Sequence, residues 1–258
     1  MSKKLESFLF VLLYIACYFA ANVLAVGVLP LYRTIKQGGN VDVFIYNLSR
    51  VQASAIYVIA ASIVIALLMF WVIFRIRKSR KGAYIRTGRL TVSGIAAAVF
   101  ITYGLNVVSV LIASLDVLEP FTGVYNTTIE SVLSGNIWVV LLIVGFLAPM
   151  FEEIMYRGII LSEFSSSFPF FFANLFQALL FGIMHFNPIQ SLYAAVIGFA
   201  LGYVYKLSGT IYLTMLIHIL FNASNVFSGL VPNVGITVLT VSALASFVLG
   251  YLLLARKR

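Results

Sequence analysis

Six side chains between positions 152 and 222 could carry covalent chemistry: Glu152, Glu153, Arg157, His185, His218 and Asn222. Glu153 and Arg157 are four residues apart, which on a helix puts them on one face with the carboxylate toward the N-terminus, so they can neutralise each other. Glu152 is rotated from Glu153 by about 100° and has no partner on its own helix, which makes it the candidate general base. His218 and Asn222 are again four apart. They stack an imidazole and a carboxamide on one face, two donors of the kind that hold the oxyanion formed at a carbonyl. His185 follows Phe181 by one turn, close to a helix end, where it could orient a water against Glu152. A base, a water holder and an oxyanion site are the parts of a hydrolase acting on an acyl group. Taken singly, a histidine in an apolar helix is as readily a hydrogen-bonded packing residue, and a Glu-Arg pair is more often structural. Their joint occurrence is what argues for function, because an apolar bundle is easier to build without any of them.

The elements that must position these residues cross a membrane. Of 258 residues, 62% are hydrophobic and only 10% are charged, whereas a soluble domain carries roughly a quarter charged residues. Crossing a hydrocarbon core of about 30 Å takes about 20 helical residues. Apolar runs of that order recur near 7–30, 53–74, 91–114, 136–163, 169–186, 189–205, 211–225 and 234–255. The expected fold is therefore all-α, a polytopic membrane helix bundle of about eight transmembrane helices. Residues 7–30 exceed the apolar core of a signal peptide and no small-x-small site closes them, so they are read as a span. The lone Cys17 within them has no partner for an internal disulfide and is read as packing.

The net charge of +9 would suit nucleic acid only if the basic residues gathered on a water-facing surface. They lie between spans instead, which argues against a nucleic-acid partner. With a cytoplasmic N-terminus, fourteen of the seventeen Lys and Arg fall on inner segments, among them Lys3, Lys4, the cluster from Arg75 to Arg89, Lys206 and the final Arg256, Lys257 and Arg258. Arg33, Lys36 and Arg50 are outside, and the 115–135 loop holds Asp116, Glu119 and Glu130 without a basic residue. This is the positive-inside distribution, with both termini cytoplasmic. Three regions follow: 1–130, about three generic spans serving as scaffold; 131–230, where the polar residues concentrate; and 231–258, a last span with a basic tail. Ala194, Gly198 and Gly202 form a small-xxx-small face that would let two helices approach closely.

The motifs Glu152-Glu153-Ile154-Met155-Tyr156-Arg157, Phe181-Gly182-Ile183-Met184-His185 and His218-Ile219-Leu220-Phe221-Asn222, read as EExxxR, FxxxH and HxxxN, resemble the CPBP family. These are the CAAX-prenyl-protease and bacteriocin-processing membrane proteases, also called the Abi group. The resemblance covers roughly residues 130–230. It implies an intramembrane endopeptidase in which Glu152 activates water, His185 helps hold it, His218 and Asn222 stabilise the tetrahedral intermediate, and Glu153 and Arg157 support. The family is commonly labelled metalloendopeptidase. A catalytic zinc wants about three protein ligands, and Glu152, His185 and His218 would be the set. That leaves Glu153 as base while it is paired with Arg157, so a metal-free glutamate mechanism without a cofactor is favoured, with zinc as the alternative.

The expected partners are the lipid bilayer and a peptide or membrane-protein substrate reached from the bilayer or its interface, in a multi-pass protein of a bacterial cell membrane. Two other readings stand beside the protease. One is a catalytically silent member of the same architecture that regulates a sensor kinase or cell-wall enzyme or confers self-immunity. The other, a proton-coupled transporter, should show broken helices in two related halves, and none is visible. One tension is geometric: counted from the turn near Ser165 to Ser167 at 1.5 Å per residue, Glu152 lies about 20 Å along one helix and His185 about 28 Å along the next. They can be level only if a helix tilts, bends or ends early, and the expectation is an irregular or strongly tilted fifth helix.

Overall fold

The computed structural model describes residues 2–49, 55–76, 85–227 and 234–255. The basic residues Arg50, Arg77, Lys78, Arg80, Lys81, Arg256, Lys257 and Arg258, on which part of the charge asymmetry rests, lie outside the described residues. Among the described residues ten helices run in chain order: α1 (Lys3–Lys36), α2 (Val41–Ser49), α3 (Ala55–Ile76), α4 (Val92–Ala113), α5 (Thr122–Leu133), α6 (Ile137–Ser165), α7 (Phe170–Ile183), α8 (Pro188–Ser208), α9 (Ile211–Val226) and α10 (Ile236–Ala255). A short 3-10 turn, Asp116–Phe121, precedes α5. The extended residues 85–91 meet the turn between α8 and α9 through one isolated bridge, Thr87 to Thr210.

The all-α bundle expected from composition is what forms. Among the described residues six helices, α1, α3, α4, α6, α8 and α10, are long and apolar enough to cross a membrane. The expected fifth and seventh spans are real helices but shorter, with 14 residues in α7 and 16 in α9, or about 21 and 24 Å at 1.5 Å per residue. Their ends are set locally. The α7 helix begins after Pro169 and stops at Ile183, and α9 starts at Thr210, whose hydroxyl accepts the Tyr212 N–H at 3.3 Å. Large apolar side chains point outward around the bundle, for example Val23, Leu68, Trp71, Val241 and Leu252. That is the surface a lipid solvent asks for, since helices satisfy their own backbone polar groups in hydrocarbon.

Two main cores hold the bundle, and the polar residues lie where they meet. One joins α1 and α3 to α6 and α7 around Tyr14, Phe70, Phe151, Met155 and Phe181; the other joins α4, α8 and α9 around Leu105, Ile197, Leu201, Leu213 and Ile217. The expected small-residue face works as close packing of α7 on α8. A Cβ at Gly202 would overlap the Asn174 carboxamide, and one at Gly198 would sit 3.0 Å from the Phe181 ring.

The irregular helix is not the fifth. The α7 helix is regular and simply ends early, so that His185 sits in the turn after it. The irregularity is in α6, which widens into π-helix at Leu141–Leu147 and again at Ile154–Leu161, on either side of Glu152 and Glu153. Pro149 explains the first widening. Proline has no N–H to donate four residues back, and its ring would clash with the Gly145 carbonyl of a regular α-turn.

Candidate active site

Glu152 and Glu153 leave one turn of α6 in different directions, and the bundle gives them different surroundings. The Glu153 side chain is fully buried. Its Oε1 accepts Nη1 of Arg157 at 2.7 Å and faces Nδ1 of His218 at 2.8 Å. Because a carboxylate only accepts, the His218 proton on that side is on Nδ1. Arg157 is equally buried, and its Nη2 donates across to the Gly198 carbonyl of α8 at 3.2 Å, an oxygen that also accepts Gln177 Nε2 of α7 at 2.9 Å. The pairing read from the four-residue spacing is therefore present, and it ties α6, α7, α8 and α9 together. Burying such charges is tolerable only when they are paired and hydrogen-bonded.

His218, held by Glu153 through one nitrogen, turns the other toward Glu152: Nε2 lies 3.5 Å from Glu152 Oε2. The α6 cation, Arg157, is paired with Glu153 rather than Glu152, and the neighbour of Glu152 is this imidazole of α9. Its side chain keeps 24% of its surface exposed. His185 stands in the turn between α7 and α8, with Nδ1 at 2.8 Å from the Phe181 carbonyl. A carbonyl accepts, so Nδ1 carries the proton and the Nε2 lone pair is left free. The turn is tight enough to drive Phe186 to φ 52, a left-handed conformation found at no other non-glycine among the described residues. Asn187 then caps α8 by accepting the N–H groups of Ile189 and Gln190. Asn222 gives one amide hydrogen to the Val144 carbonyl at 3.0 Å, on the first widened segment of α6. Its amide carries a second hydrogen.

The Phe181 ring organises this group. His185 and His218 each stand nearly perpendicular to it, at 5.0 and 5.7 Å between centroids, the Arg157 guanidinium lies over it at 5.0 Å, and Tyr156 meets it edge-on at 4.9 Å. Glu152, His185, His218 and Asn222 all line one cavity of about 350 Å³, while Glu153 and Arg157 lie behind its wall. Among the described residues no three His, Cys, Asp or Glu side chains converge so as to hold a metal ion. The set Glu152, His185 and His218 shares the cavity without forming such a group.

Several cavity residues come from places the sequence left generic. Tyr18 of α1 stacks on Phe151 at 5.7 Å, lines the cavity and lies within electrostatic reach of Glu152 and Tyr156. Ile59 of α3, five residues of α5, and Gln190, Tyr193 and Asn225 also face it. Asn106 of α4, buried outside the cavity, accepts Ser224 Oγ at 3.2 Å and Asn225 Nδ2 at 3.1 Å, and so steadies α9 from behind. A lone carboxamide in an apolar span was the available cue for Asn106. Nothing in the sequence marked Tyr18 out from the other tyrosines.

Residues 134–224 match the family described as "Type II CAAX prenyl endopeptidase Rce1-like". A Bacillus subtilis (strain 168) protein named "Putative membrane peptidase YdiL" is 28% identical over 92 residues, which are 36% of this chain and 38% of that protein. The similarity thus spans well under half the length of this curated relative. No solved structure matches. The matched segment contains every one of the six polar residues and stops short of α1, α3, α5 and α10.

Proposed function

We propose that the chain, whose residues 134–224 match the Rce1-like family, is a CPBP-type intramembrane endopeptidase whose nucleophile is a water activated by Glu152. The observation that carries this reading is the convergence of Glu152, His185, His218 and Asn222 on one cavity, with Glu153 and Arg157 bracing His218 from behind. Glu152 takes a proton from water held against His185, and the water oxygen bonds to the scissile carbonyl carbon. The carbonyl oxygen becomes an oxyanion facing His218 Nε2 and the free amide hydrogen of Asn222. His218 gives Nδ1–H to the Glu153 carboxylate, so it donates from Nε2 only when both ring nitrogens carry a proton. The C–N bond then breaks and Glu152 returns its proton to the departing amine. No step calls on a metal. The substrate is a peptide or membrane protein entering from the bilayer or its interface, in the cell membrane of a bacterium.

The test is cleavage of a panel of quenched fluorogenic peptides by purified protein in detergent, with and without a chelator. Glu152→Ala is expected to lower kcat by about 10²–10⁴-fold, and His218→Ala by about 10²–10³-fold. His185→Ala is expected to lose activity in the same direction, and chelator to leave wild type unchanged. Activity undiminished in Glu152→Ala would remove the base assignment. Loss with chelator that zinc restores would replace the mechanism with a metal-dependent one.

A further inference from the structure

We propose that α5 is the specificity-determining wall of the cleft and that it selects extended peptide segments with apolar side chains beside the scissile bond; this rests on the endopeptidase reading. Residues 115–135 read in sequence as an acidic loop, yet Thr122–Leu133 is a helix with a marked division of faces. Tyr125, Thr128, Ile129, Val132 and Leu133 line the catalytic cavity. Their spacing of three and four residues is the repeat that defines one side of an α-helix. Gly123, Val124, Asn126, Thr127 and Glu130 are exposed on the other side.

In a helix that serves packing, such a stripe would be buried in a core, but no residue of α5 is buried. Leu133 reaches the small cluster of Ile56, Val140 and Ile143 and anchors the C-terminal end. The remaining stripe is half-covered and looks into the space above Glu152, opposite Tyr193, Ala194 and Ile197 of α8. Apolar area left in that state can still be buried against a ligand. The helix is also bounded by joints. It follows Pro120, and Gly135 behind it has φ +122, a conformation open to glycine, with nothing within 4 Å of the position a Cβ would take. The helix α5 precedes the segment 134–224 that matches the family model, so the proposed wall lies outside that matched segment. A peptide lying between α5 and α8 with its carbonyl on His218 and Asn222 would set the neighbouring side chains against Ile129 and Val132.

The experiment profiles cleavage positions in a defined peptide library by mass spectrometry, using the full chain in detergent. Val132→Ala should move the preferred residue beside the cut toward larger side chains, and Val132→Phe should move it toward smaller ones, each by about 10-fold in relative kcat/KM, within the span seen when a pocket changes by a methylene or more. Asn126→Ala and Glu130→Gln, on the exposed face, should leave the profile unchanged. Opposite shifts in the two Val132 variants cannot come from misfolding, which lowers all cleavages alike. If wild type cleaves and both Val132 variants keep its profile, α5 is not the wall and the endopeptidase reading survives. If wild type cleaves none of the library while Glu152→Ala behaves identically, the endopeptidase reading falls and takes this one with it.

Discussion

At the scale of single residues, the division of labour between two adjacent glutamates is the main result. Glu153 is spent on Arg157 and His218, whereas Glu152 keeps an exposed edge in the cavity. Removing one member of the buried pair is therefore a different experiment from removing both. Arg157→Ala would leave Glu153 charged and enclosed, and is expected to destabilise the protein by about 3–5 kcal/mol. The double variant Glu153→Gln/Arg157→Met should recover much of that stability but not the activity, because His218 loses its brace. Thermal unfolding in detergent measured beside peptide cleavage separates the two effects. If Arg157→Ala unfolds at the wild-type temperature, the pair is not a structural clamp. These six residues were legible in the sequence because helical spacing alone pairs Glu153 with Arg157 and His218 with Asn222. Tyr18 and Asn225 were not, because each acquires its role from a helix remote in sequence, and the cue at Asn106, a carboxamide in an apolar span, does not say what it meets.

At the scale of elements, the chain order of helices could be read from hydropathy, while what happens within them could not. A run of apolar residues looks the same whether its turns are α or π, and only Pro149 hinted that α6 would be uneven. The widening matters to the site because the carbonyl of Val144, in the first π segment, is the one that holds Asn222. The helix α5 was hidden for another reason: twelve residues with Asp116, Glu119 and Glu130 in and around them carry too little apolar sequence to register as a span. The close approach of α7 and α8 was legible, since glycines four apart announce it. Gly202→Ala is expected to push Asn174 aside and break its bond to the Phe199 carbonyl, lowering stability by about 1–3 kcal/mol, as read from the unfolding midpoint. An unchanged midpoint would mean that α7 shifts freely on α8.

For the whole molecule, the two ends of the bundle differ. One carries Lys4 over Phe168, Arg75 over Trp71 and Lys206 over Phe170, the basic and aromatic mixture of a membrane interface. The other carries α5 and the turn that holds His185. From the positive-inside rule we propose that the first end faces the cytoplasm, with α5 and the His185 turn on the opposite side. In a variant with Cys17→Ala, a cysteine replacing Asn126 should be labelled by a membrane-impermeant thiol reagent in intact cells, and one replacing Ser166 only after permeabilisation. The reverse pattern would turn the protein over and with it the side from which substrate arrives. The shortness of α7 bears on the surrounding lipid. Its outer face, Phe172, Leu179 and Ile183, is exposed, yet the helix is about 21 Å long in a hydrocarbon layer of about 30 Å. Lipid tails beside it must compress or bend around its ends, so acyl-chain length is felt at the one helix from which His185 is hung.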